Sequence, residues 1–272
     1  MIFEELIKVD IIQPILQPLY EGKLTLGTDG KITQRRQIDP SSTWVHIKLA
    51  PDRDCGKWLG VYFKNYHFIP KTCHSCFKVV VKPETISDLF KLWKLQMKLD
   101  LPAKTGLEVR PYVRSKGYVG FWYCPISEGL AGARELYKKL RAKVKENGIK
   151  GDIILKRGCT EMELNVGPSD KWAYTSEHQR LEYMLDQVFT ERPEMVNQPA
   201  CHVIHVQRGW IDFAWRMGDP TVFEFANPHQ FQPPPVHYED SDHKPEDFPI
   251  FLPDWMTERK VKTLEEMNDN NS

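Results

Sequence analysis

The stretch KTCHSCFKVVVK sets Cys73 and Cys76 two residues apart with His74 between them. Two thiols at that spacing can ligate a metal, cycle as a redox dithiol, or serve as small apolar side chains. A redox pair belongs at a helix N-terminus, where the dipole stabilises a thiolate. Here the pair is followed by Phe77 and the run Val79–Val81, which reads as a strand, so the spacing favours ligation. His74 is a candidate ligand or proton donor in an exposed loop.

The other thiols decide what is ligated. Cys124 ends the β-prone run GYVGFWYC, and Cys159 ends DIILKRGC. Between them lies a helical pattern with Leu130, Ala133, Tyr137, Leu140 and Val144 on one face, and Gly148 is placed to close it. This strand–helix–strand order at 118–159 predicts a parallel crossover. Neighbouring parallel strands would deliver both thiols to one sheet edge, where open α/β sheets place their sites. The predicted centre is therefore Cys73, Cys76, Cys124 and Cys159. Structural zinc sites use two close pairs. One close pair plus two thiols from distant elements points instead to an iron–sulfur cluster of the [4Fe–4S] type, with zinc as the alternative. Cys55, beside Gly56 in a turn, could replace one member. Cys201 opens ACHVIHV, read as a strand, in which Cys201 and His205 share a face while His202 and His205 do not.

Three further groups bear on function. Glu161 and Glu163 follow Cys159 on a segment read as a strand, where they would share a face and serve as catalytic acids or bases. They equally suit a solvent-facing strand edge. Ser127 stands where a helix N-cap would sit, beside amides that could hold an anion. Arg110, Arg114 and Lys116 are interleaved with Tyr112, Tyr118, Trp122 and Tyr123, and Lys139, Arg141, Lys143, Lys145, Lys150 and Lys156 follow. Cations among stacking rings are the equipment of nucleic-acid or nucleotide binding. The bland alternative is a solvated helix face with alternate rings in the core.

The elements that must position these residues give a mixed α/β fold. Additional β structure precedes the centre: a hairpin about Asp29-Gly30, a strand TWVHIKLA, and a β-prone run KWLGVYFKNYHFI. A helix from about Pro83 to Leu99 carries Ile86, Leu89, Phe90, Trp93 and Met97. Beyond Cys159, MELNV reads as a strand, SEHQRLEYMLDQVF as a helix, HVIHVQRGWIDFAW as a hairpin about Arg208-Gly209, and TVFEF as a strand. The expected organisation is one metal-binding domain at 1–227 and a Pro-rich, acidic extension at 228–272 wrapped around it, a candidate surface for a protein partner.

With 272 residues and 41% hydrophobic content, the chain can build a core without disulfides. Its 37 basic and 37 acidic side chains cancel, so no global field draws it to nucleic acid. The N-terminal apolar run carries Glu4, Glu5, Lys8 and Asp10, which is not a signal-peptide pattern, and no stretch is apolar enough to span a membrane. A cytoplasmic location, where thiols stay reduced, is the expectation. The sequence contains no nucleophile elbow, no H-E-x-x-H, no kinase set and no C-x3-C-x2-C. Three function classes follow: an iron–sulfur protein handling nucleic acid or nucleotides, a metabolite-directed redox or lyase-type iron–sulfur enzyme, and a zinc-stabilised interaction protein.

Overall fold

The computed structural model describes residues 11–34, 41–110, 117–190 and 198–226. The chain divides into two compact units, Met1–Trp210 and Ile211–Ser272. Segment 228–272, like Tyr112, Arg114 and Lys116, lies outside the described residues.

The first unit opens with α1 (Leu16–Tyr20) and the antiparallel hairpin of β1 (Leu24–Leu26) and β2 (Ile32–Gln34). The hairpin turns at Asp29-Gly30 as expected. Asp29 Oδ1 accepts from the Lys31 amide at 3.0 Å, and Gly30 adopts φ 76°, which glycine tolerates. After β3 (Trp44–Lys48) comes a helical stretch, Cys55–Tyr66, whose middle, Trp58–Phe63, winds as a π-helix. The expected β structure at 57–69 is thus not formed. Trp58, Val61 and Tyr62 already stand at helical spacing, and burying Val61 and Tyr62 outweighs the β propensity of the run.

The remaining order is β4 (Phe77–Pro83), α2 (Ile86–Leu99), β5 (Ala103–Leu107), β6 (Tyr118–Tyr123), α3 (Gly129–Glu146) and β7 (Gly151–Arg157). The sheet runs β3-β5-β6-β4-β7, with every neighbouring pair antiparallel. Two strand–helix–strand units are interleaved, β6 lying between β4 and β5, and β4 between β6 and β7. The expected adjacent parallel pair at 118–159 is therefore not formed. β6 and β7 run in the same direction, but β4 separates them. The reason lies in the sequence of β4. Val79, Val80 and Val81 are all buried, which demands a central position covered on both faces. β7 exposes Ile154 and takes the edge.

Both helices pack on one sheet face. Phe77, Val79, Val81, Ala103 and Trp122 meet Leu92, Leu95, Ala133, Leu140 and Val144 in one core. α2 is capped by Thr85, whose Oγ1 accepts from the Asp88 amide at 3.2 Å. Its stripe differs from expectation: Leu92, Leu95 and Gln96 are buried while Met97 is exposed, because the helix is covered on two sides. α3 buries Ala133, Leu140 and Val144 as expected but exposes Leu130. It ends with Gly148 at φ 62° and the Ile149 amide donating to Val144 O at 3.2 Å, the closing bond of a Schellman motif.

A second core joins Ile15, Leu24, Ile32, Val61, Tyr62 and Phe68 to Leu185 and Phe189, at the end of the helix Ser176–Val188. The segments α4 (Thr160–Val166), α5 (Ser176–Val188) and α6 (Ala200–Arg216) complete the helices named here. Only α5 was legible as a helix. MELNV lies in α4, HVIHVQRGWIDFAW in α6, and TVFEF in a 3-10 turn, Pro220–Glu224. In α6 the buried Val206 and Trp210 stand four apart, a helical spacing that prevails over the β-branched content.

Candidate metal centre

Because β6 and β7 both oppose β4, the start of β4 and the ends of β6 and β7 meet at one end of the sheet. Phe77 pairs with Arg157, and Lys78 with Tyr123. Cys76 thus precedes β4 where Cys124 follows β6 and Cys159 follows β7. Cys124 donates its amide to Phe77 O at 3.1 Å, and Gly158 donates to Cys76 O at 2.8 Å. Cys73 and Cys76 sit on a tight turn closed by the Cys76 amide donating to Cys73 O at 3.3 Å. The shared sheet end expected for the thiols is formed, though by an interleaved sheet.

The two sheet faces then separate them. Cys124 continues the alternation of Gly120 and Trp122 and packs in the helix-side core with Ala133 and Leu140. Cys73 and Cys159 belong to a different cluster, with Phe63, Ile69, Met162 and Trp172. Cys55 opens the helical stretch that also supplies Phe63, held there by Asp54, which accepts from the Lys57 amide at 3.1 Å. Cys55, Cys73, Cys76 and Cys159 lie within one another's electrostatic reach. Desolvation first, then Cys76, Cys159 and Cys55, push the Cys73 thiol upward. Desolvation, then Cys159 and Cys76, raise Cys55 to about 11. Burial also raises Cys159, with Cys76 adding and Lys78 opposing. Burial lifts Cys124 to about 11 against the pull of Arg53, and Cys76 is the thiol that adds to it. Burial thus pushes Cys55, Cys73, Cys124 and Cys159 toward the neutral form, so ligation by them would displace protons.

Arg53, missed in the sequence although it stands two residues before Cys55, ties this end together. It is 5% exposed. Its Nε donates to Cys76 Sγ at 3.3 Å, and its Nη2 to Phe77 O at 3.0 Å and Cys124 O at 2.5 Å. Its Nη1 pairs with Asp52 at 3.1 Å. Burial works against the charge, but Cys76, Asp52 and Cys55 outweigh it and hold the guanidinium ionised.

Beside the thiols lies the sheet face opposite the helices. Cys55 is exposed there, and Tyr123 and Lys104 are half-buried. Burial, then Cys55, Cys159 and Cys76, drive the Tyr123 hydroxyl well above its ordinary range. Burial and Lys78 lower Lys104 to about 8, and the same two influences lower Lys156 to about 8.

The other expected site residues are distributed differently. Glu161 and Glu163 lie in the first turn of α4, not on a strand, and two residues apart they do not share a helix face. Glu161 pairs with Arg110 Nη1 at 2.5 Å, and Glu163 pairs with Lys156. Glu163 is committed to Lys156, while Glu161 shares Arg110 with the buried Glu108. Against burial, its own backbone amide, then Arg110 and Lys78, keep Glu161 below the usual carboxylate range. Ser127 does not cap α3. It lies inside the 3-10 turn Ile126–Glu128, and the α3 N-cap residue, Glu128, makes no side-chain cap bond. His74 is half-buried and meets Trp172 and Tyr174 edge-on, at 6.0 and 5.9 Å. Cys201 is exposed on α6, where His202 and His205, one turn apart, bring their ring centroids to 6.5 Å.

The basic–aromatic segment splits over two surfaces. Tyr118 and Trp122 are buried toward α2 and α3, while Phe121 and Tyr123 lie on the opposite sheet face. Arg141, Lys145 and Lys150 instead line a shallow groove of about 580 Å³ between the end of α3 and the start of β7.

Among the described residues, no three His, Cys, Asp or Glu side chains close tightly enough to hold a single metal ion. No helix of the described residues is long and apolar enough to cross a membrane. Comparison with known proteins gives no relative: no family model, no curated protein and no solved structure matches this chain.

Proposed function

We propose that this chain is an iron–sulfur protein that carries a [4Fe–4S] cluster on Cys55, Cys73, Cys76 and Cys159 and binds or acts on nucleic acid or nucleotides. The observation that carries the reading is the gathering of these four thiols, from three separate chain segments, around one end of the sheet. Cys55 takes the place that strand-end reasoning assigned to Cys124, whose side chain packs on the helix side. The four thiols reach one sheet end from separate elements rather than from two close pairs. That suits a cluster, which interposes its own sulfides between iron and cysteine, better than a zinc ion about 2.3 Å from each sulfur. Arg53, Lys78 and Lys104 supply positive charge to a thiolate set.

Anaerobic purification with metal and sulfide analysis tests the metal. Brown protein with about four irons per chain is the expected result. Colourless protein with stoichiometric zinc would replace the cluster with a structural site, and metal-free protein from the same preparation would refute both. Titration with oligonucleotides at two salt concentrations tests the second half, since phosphate contacts must weaken as salt rises.

A further inference from the structure

Lys78 and Lys104 are half-buried, and neither has a carboxylate partner among the described residues. Each instead rests on aromatic rings. Lys78 Nζ lies 4.9 Å from the Phe121 ring centroid, and Lys104 Nζ lies 5.4 Å from the same centroid and 4.1 Å from that of Trp44. The register builds this arrangement. Lys104 on β5 stands opposite Phe121, while Lys78 on β4 stands opposite Tyr123, two residues along β6. Two ammonium groups from the strands on either side of β6 therefore bracket one ring. Lys156, opposite Lys78 on β7, is different, because Glu163 neutralises it.

A ring face contributes roughly 0.5–2 kcal/mol to a cation, less than the several kcal/mol that withdrawing an ammonium from water costs. Two like charges held beside one ring add to the deficit. Glu161, already paired with Arg110, reaches both lysines only at longer range, and the groups that would complete the balance are negative and arrive from solvent. A pair separated by a ring matches two phosphates better than one.

We propose that Lys78 and Lys104 form a phosphate-binding subsite on the sheet face opposite α2 and α3, for a ligand that carries at least two phosphates. Such phosphates come from a free nucleoside polyphosphate or from successive positions of a nucleic-acid strand. The inference rests on the nucleotide and nucleic-acid half of the proposed function and is independent of which metal is bound. The competing role is internal: Cys55 and Cys159 lie within reach of the same two lysines, which could serve only to offset thiolate charge.

Calorimetric titration of the full chain, as purified, with pyrophosphate, ATP and a short oligothymidylate separates these cases. Lys78→Met and Lys104→Met keep most of the aliphatic stem and remove the charge. Lys104→Arg, which keeps it, controls for folding together with a thermal melt. The expected result is binding of at least one probe, weakened tenfold or more by either methionine substitution and retained with arginine. Binding of pyrophosphate and ATP without the oligonucleotide would assign a free nucleotide. Tighter binding of the oligonucleotide would assign a strand. Failure of the wild-type chain to bind any of the three overturns the proposal. So does unchanged affinity in both methionine variants, and loss of iron in those variants would then give the lysines to the metal centre. Lysine-dependent ATP binding by a chain that never acquires iron would uphold the subsite and refute the cluster.

Discussion

Replacing Arg53 with methionine removes the donor fork that joins Cys76, Phe77 and Cys124. Phe77 O retains a second donor, the Cys124 amide at 3.1 Å, so its loss is partial. Cys124 O loses the contact at 2.5 Å, and Cys76 Sγ the one at 3.3 Å. An orphaned buried carbonyl costs about 1–3 kcal/mol, and hydrogen bonds to a charged group contribute about 1.5–3 kcal/mol. These contributions overlap, because both describe the same contacts, and Asp52 is 34% exposed and readily resolvated. The expected loss is about 3–4 kcal/mol. At roughly 2–4 °C per kcal/mol for a domain of this size, Tm should fall by about 10 °C. Thermal melts of wild type, Arg53→Met and Arg53→Lys give the answer, with iron content measured on the same samples. Lysine keeps the charge but not the fork and should recover less than half the loss. A methionine variant melting within about 2 °C of wild type, with full iron content, would refute the account of Arg53 as the tie between strand ends.

Gly158 has φ 64°, and a Cβ there would lie 2.1 Å from the Trp172 ring. Gly158→Ala should destabilise by about 2–4 kcal/mol and reduce metal retention, whereas Gly148→Ala, at φ 62° in open space, should lose only about 1 kcal/mol; denaturant melts of both compare them. At Gly120 a Cβ would meet Leu92 Cδ2 at 2.6 Å, with Gln96 Nε2 and Thr105 Oγ1 at 3.1 Å, so Gly120→Ala should cost about 1–3 kcal/mol by overpacking, read in the same melts. Cys55→Ser should abolish iron retention, while Cys124→Ala should keep the iron and lose about 1 kcal/mol of stability as a small cavity opens; the reverse pattern in metal analysis would return Cys124 to the ligand set.

Most sheet strands were legible because each satisfies its own rule: the Asp29-Gly30 turn, the alternation in Trp44–Lys48, and the continuous Val79–Val81 run; β5, Ala103–Leu107, with Lys104 and Gly106 interrupting it, carries no such signal. The convergence of Cys76, Cys124 and Cys159 at one sheet end was legible too, since strand direction alone sets it. What failed was nonlocal. Pairing order depends on which strand is covered on both faces, and Val80 carried that information without being weighed. Cys55 was hard to prefer over Cys124 because it reads as a turn before a β-prone run, and only burial of Val61 and Tyr62 makes that run a helix. Lys78 and Lys104 belong to no motif. Their meaning appears only when register sets both beside Phe121.

The π-helical turn Trp58–Phe63 has a consequence for how the chain can change length. Its defining bond, from the Lys64 amide to Leu59 O, spans one residue more than an α-helical bond. The extra residue lets one stretch turn Val61 and Tyr62 into the core with Leu185 and Phe189, and Phe63 into the cluster with Cys73. Removing a residue here would not merely shorten a helix. An ordinary α turn would form, and everything before it would rotate by about 100° relative to everything after it. Cys55 lies before the turn and Phe63 at its end, so a single deletion at Gly60 would swing the thiol away from Cys76 while leaving each flanking segment intact. Insertions and deletions at this point are thereby coupled to the centre, even though none of its residues is a ligand.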